Sequence, residues 1–140
     1  IVNIPWMQIA AQRAQEKLKV KVKIFDPAYM SKDLVASLGF GAVGHSEEIE
    51  TSHMMHLLPE LVHLEKAADN PVADQELYSV DPAFIHDTLC YVPATLEHTR
   101  HNGEVSGGTT GEPSKSDAEK GKIYHEHLMN NLVKVIESLK

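Results

Sequence analysis

Between His45 and His56 the chain carries His45, Glu47, Glu48, Glu50, His53 and His56. Imidazole and carboxylate are the side chains that borderline divalent ions such as Zn²⁺ and Mn²⁺ take as ligands. The stretch therefore has three readings: a solvated acidic helix face, a self-contained metal site, or part of a site that other residues complete. Spacing narrows these without choosing. On a helix Glu50 stands beside Glu47, His53 and Met54 at three- and four-residue offsets, while Glu48 and Thr51 face elsewhere, so no single face gathers three ligands. The pattern is not H-E-x-x-H, and His53 with His56 at i, i+3 is a weaker pair than the i, i+4 histidines of zinc proteases. His45 follows Gly44 just ahead of the helix. It is either a loop histidine bonded to backbone or a group at a helix N-terminus, where the dipole lowers the imidazole pKa and favours anionic ligands.

Other chemistries have less behind them. There is no G-x-S-x-G elbow and no Walker sequence, and "SGGTTGEPSKS" lacks both the G-K-[ST] ending and a strand ahead of it. Cys90, amid "TLCYV", reads as a packed strand residue rather than a nucleophile. His125 and His127 belong to the last helix, where exposure is the expectation, and His86, His98 and His101 fall in a stretch with no clear periodicity.

The elements that must hold these residues can be read in part. Asn3 is placed as an N-cap and Pro5 in a first turn; Met7, Ala10, Ala11, Ala14 and Leu18 then recur at helical spacing, predicting a helix over 4–18. In "KVKVKIFDP", Val20, Val22 and Ile24 alternate with lysines, the period-2 signature of a strand ended by Asp26 and Pro27. Helix then strand is the αβ half of a βαβ unit, and the expectation is that its first strand precedes Ile1. A short helix over 31–38 is predicted from a Ser31 cap, and a longer one over 46–58, with Ile49, Met54, Leu57 and Leu58 on its apolar side and Pro59 as its stop. Residues 69–113 hold prolines at 71, 82, 93 and 113, and "NGEVSGGTTGEPSKS" is loop by composition. Ser116 and Glu119 then make an S-x-x-E capping box for an amphipathic C-terminal helix with Ile123, Leu128, Leu132, Val135, Ile136 and Leu139.

Composition sets outer limits. A chain of 140 residues, 42% hydrophobic and 24% charged, suits one soluble domain that folds without disulfide or metal staples. Net charge −7 without a lysine or arginine cluster argues against nucleic acid or an anionic membrane as partner. A single cysteine, no spanning apolar run and no charged leader make a cytoplasmic location the expectation.

Two stretches carry a resemblance. "GHSEEIETSHMMHLLPELVHLEKA", Gly44 to Ala67, resembles the creatininase (creatinine amidohydrolase) family stretch H-A-G-x-x-E-T-S-x-M-L-x-L-x-P-E-L-V, through His45, Glu50-Thr51-Ser52, Met55, Leu57 and Pro59-Glu60-Leu61-Val62. Ser46 and Glu47 stand where alanine and glycine are usual, with one extra residue before E-T-S. "SGGTTGEPSKSDAEKGKIYHEHL" is similar to the family's closing G-x-x-G-x-P-x-x-A-x-x-x-K-G, matching at Gly108, Gly111, Pro113, Lys120 and Gly121.

The resemblance implies a three-layer α/β/α fold around a mostly parallel sheet, with 1–140 as the C-terminal portion of one creatininase-like domain and the fold incomplete without an N-terminal segment. It further implies a hexameric homo-oligomer and one or two divalent ions, Zn, Mn or Fe. The reaction implied is opening of a cyclic amide, or cleavage of another amide-like C–N bond, by a metal-activated water. The family's E-x-H segment, its aspartate and its N-G-H-x-x-N turn have no counterpart in this sequence. Carried over residue by residue, Glu50 is one metal ligand, Glu47 is the reserve ligand, and His45 is the proton shuttle or substrate contact. The remaining ligands would come from an N-terminal half or a companion chain. The alternative is a non-catalytic structural or interaction subunit.

Overall fold

Helices follow one another from residue 4 onward. The computed structural model describes residues 4–71 and 95–140, and these run through α1 (Ile4–Leu18), α2 (Pro27–Met30), α3 (Lys32–Ser37), α4 (Glu48–Leu57), α5 (Leu96–Ser106) and α6 (Ala118–Glu137). Three 3₁₀ turns, Pro59–Leu61, Leu64–Lys66 and Pro113–Lys115, bend the chain between them. Asn3, His86, Cys90 and the "TLCYV" run lie outside the described residues.

The expected three-layer α/β/α fold with its mostly parallel sheet is overturned: among the described residues there is no strand, only two isolated antiparallel bridges. The reason lies in what a strand requires. Alternating side chains make a segment able to pair, but pairing needs a second backbone to take up its N–H and C=O groups. In residues 19–25 the Val22 N–H goes instead to the Gln15 side chain at 2.9 Å. The Lys21 Nζ donates to the Lys140 carbonyl at 3.4 Å and the Lys23 Nζ to the Ser138 hydroxyl, so the segment is tied to the end of α6. Val20 and Val22 stay 48% and 37% exposed, so the alternation does not divide a buried face from a wet one.

The centre of the fold is the crossing of α4 and α6. Their facing residues follow the spacing that puts four side chains on one side of a helix, Ile49, Ser52, His53 and His56 from α4 against Gly121, Tyr124, His125 and Leu128 from α6. The closest approach is at Gly121, where a Cβ would stand 1.9 Å from the Ser52 carbonyl oxygen. Only glycine admits so near a backbone. Val35 and Phe40 join Ile49 and Tyr124 in the small apolar core. Met54, Leu57 and Leu58, read as the apolar side of α4, are exposed instead.

Caps depart from expectation in a consistent way. Asp117, not Ser116, caps α6, its carboxylate accepting from the N–H groups of Glu119 and Lys120 at 2.7 and 3.0 Å. The Ser116 hydroxyl turns to the Glu48 carbonyl, 3.4 Å away, so it ties α6 to α4. The "NGEVS" residues taken as loop form the last turn of α5, which Thr95 and His98 cap reciprocally and Gly107 ends at φ 65°.

The two bridges belong to one short run. Thr110 exchanges backbone hydrogen bonds with His45 at 3.2 and 2.9 Å, and the next residue, Gly111, exchanges them with Asn70 at 2.8 and 2.8 Å. No helix among the described residues is long and apolar enough to cross a membrane.

Candidate functional site

Each glutamate at the start of α4 has a different occupation. Glu47 caps the helix: its Oε2 accepts from the Ile49 N–H at 2.5 Å and its Oε1 from the Glu50 N–H at 3.1 Å. It is also buried, 2% exposed, with its Cβ pressed against the Cα of Gly111, where an added Cβ would stand 2.3 Å away. Burial pushes its carboxyl up to about 7, against the pull of the two backbone donors and with help from the charges of Glu50 and Glu48.

Glu48 turns inward. Its carboxylate takes the Lys120 ammonium at 2.9 Å and the Gly41 N–H at 2.8 Å, and Lys120 lies 5.1 Å above the Phe40 ring. A buried carboxylate is tolerable only when paired and hydrogen-bonded in this way. Glu50 turns outward and is exposed, one oxygen accepting from the Ser46 N–H at 2.7 Å. Ser46 itself sits at φ 51°, the left-handed turn that carries the chain into the helix.

Glu50 opens onto a hollow of about 330 Å³. The α4 side of it is Ser46, Glu50, Thr51 and Met54; Leu61, Val62 and Leu64, on the two 3₁₀ turns after Pro59, face them. Thr109 and Pro113 line it from the segment that leads into α6. The E-T-S triplet and the P-E-L-V run thus meet around one space, and the third residue of the triplet, Ser52, faces the other way. Its hydroxyl accepts from the Asp117 N–H at 2.9 Å, beside Gly121. The two stretches singled out in the sequence are therefore packed on each other.

His45 stands at the rim of this turn with its side chain exposed and its backbone clamped on Thr110, whose hydroxyl also accepts from the His45 N–H at 2.8 Å. His53 and His56 do not join Glu50. They face α6, where the His53 Nε2 and His125 Nδ1 share a hydrogen bond of 2.9 Å and the His56 ring lies 5.5 Å from that of His125. His53 also meets Tyr124 edge-on at 5.2 Å. Burial, then the charges of His125 and His56, holds the His53 pKa below its ordinary value.

His125 and His127, expected to be exposed, are half-buried. His127 lies 3.4 Å from the Ser31 hydroxyl. The signal for His125 was its four-residue offset from Gly121, which puts it on the interface side of α6; nothing local marks Lys120 as the partner of Glu48.

Among the described residues no group of three or more His, Cys, Asp or Glu side chains could hold a metal ion. Glu50 alone supplies one ligand, and both oxygens of Glu47 are engaged in its cap. The donors placed here do not complete a metal centre. In comparisons with known proteins, the family model described as Creatininase, creatinine amidohydrolase, matches residues 2–136. No curated protein and no solved structure matches the chain.

Proposed function

Since this chain belongs to the creatininase family, we propose that it supplies one part of a metal-dependent hydrolase of amide-like C–N bonds, acting on a small-molecule amide. The observation that carries this reading is the position of Glu50, an exposed carboxylate at the edge of a hollow whose two sides come from the E-T-S and P-E-L-V stretches.

In this reading Glu50 is the ligand this chain contributes to a site of one or two divalent ions, Zn, Mn or Fe. The other ligands arrive on an N-terminal half or a companion chain, in an assembly of several copies. Glu47 remains the reserve: to ligate, it would have to release two backbone N–H groups. His45 carries the proton to the departing nitrogen, held near the hollow by its backbone pairing to Thr110. Net charge −7 fits a neutral small molecule better than a polyanion.

The test is Glu50→Gln, which keeps an acceptor for the Ser46 N–H and removes the charge. It is made in the protein as purified, with any chain that accompanies it. Bound Zn, Mn and Fe, amide hydrolysis and thermal unfolding are followed together. Metal content and hydrolysis are expected to fall by about 10-fold or more, with Tm unchanged within a few degrees. Metal and hydrolysis equal to the wild type would sink the reading. They would leave the alternative, a non-catalytic structural or interaction subunit.

A further inference from the structure

The hollow beside Glu50 has two unlike sides. On the α4 side Ser46, Glu50 and Thr51 are polar and Met54 is apolar, whereas Leu61, Val62 and Leu64 opposite them are all apolar. Among the described residues no lysine or arginine lines it, and the histidine that does, His63, has its Nδ1 at 3.0 Å from the Glu65 carboxylate. An anionic group entering here would meet the Glu50 carboxylate and, among the described lining residues, no unshared cation. At about 330 Å³ the space is near the lower bound of ligand pockets, about 300–1,000 Å³, which suits a small molecule rather than a folded chain.

We propose that the substrates are small uncharged amides bearing a branched or aromatic apolar side group, with the amide toward Glu50 and the side group against Leu61, Val62, Leu64 and Met54. This rests on the hydrolase reading and gives it a specificity. Leu61 is 62% exposed and Leu64 37%, so the chain leaves uncovered apolar surface on one side of the hollow. A side group laid there removes both its own surface and that of the leucines from water, worth about 25 cal/mol per Å². A polar group of the same size would give up its hydration for nothing in return.

The experiment compares isovaleramide with malonamide, an apolar and a polar amide of similar size, by ligand-observed NMR titration of the protein as purified. Isovaleramide is expected to bind about tenfold more tightly, and Leu61→Ser with Leu64→Ser to bring it down to the level of malonamide. Both leucines are surface residues, so the variants retain the fold, which circular dichroism verifies. Equal affinities for the two amides, or isovaleramide binding that survives both substitutions, would overturn the proposal. The binding arm needs neither metal nor turnover. A failed hydrolase reading therefore shows in metal content and hydrolysis, and a failed side-group assignment shows in the affinities.

Discussion

The α4–α6 crossing and α1 are both helical structure, yet they treat their surfaces in opposite ways. The crossing buries polar groups: Glu47, Glu48 and Ser52 are among the least exposed residues described, each with hydrogen-bond partners. In α1 no residue is buried, and Trp6, Met7, Ile9 and Leu18 are exposed, Trp6 at 71%. Hydrophobicity alone therefore does not say where this molecule is held together. Close backbone approach and satisfied buried carboxylates do.

The comparison breaks most sharply at Gly121. Replacement by Ala should raise helix propensity by about 1 kcal/mol in an exposed helix. Here the new Cβ meets the Ser52 carbonyl oxygen, a backbone atom that no rotamer change can move. A net loss of about 4 kcal/mol is expected, read as a drop in chemical-denaturation midpoint; a neutral or stabilising Ala would show that the helices do not cross this closely.

The next effect is a pH dependence. Glu47 holds its proton up to about 7 in the folded chain, against an ordinary value of 4.5. The unfolded chain releases that proton first, so stability is complete below about 4.5 and falls as pH rises toward 7, by about 3 kcal/mol. His53, lowered from 6.5, acts in the other direction, with stability falling as pH drops below 6.5. Denaturation of wild type and Glu47→Gln across pH 4 to 8 separates them: the variant should lose the decline toward neutral pH and keep the acid-side loss. An unchanged profile in Glu47→Gln would mean that the buried carboxyl does not titrate in this window.

The smallest effect sharpens the contrast from the other side. Trp6→Ser should change stability by no more than about 0.5 kcal/mol, because the indole leaves no cavity when it goes. A loss of about 2 kcal/mol in the same denaturation experiment would mean that α1 is packed after all.

What the sequence discloses follows this division. The extent of α1 matches its periodicity, and Pro59 ends α4 as its missing N–H requires. The α4–α6 face eluded the same reasoning because two of its members on α4 are histidines and two of its closest residues are Ser52 and Gly121, types that a search for apolar stripes passes over. The strand expectation for 19–25 failed for a related reason: alternation describes one segment, whereas a sheet is a property of two. For the candidate site, His45, Glu47 and Glu50 were identified by type and placed together at one turn, but their separate occupations depend on burial. Glu47 and Glu48 differ from Glu50 only in the direction each leaves the first turn, and that is set by Gly111 and Lys120, more than sixty positions along the chain.

The paired bonds of Thr110 and Gly111 have one further consequence. Two neighbouring residues hold both ends of the stretch from His45 to Asn70, so this stretch is a closed ring in topological terms, and its clasp comes from outside it. Both bridges draw on the peptide unit between Thr110 and Gly111, one through its carbonyl and the other through its N–H. The hollow and its carboxylate are thus tethered by this short segment in addition to the packing of α4 on α6.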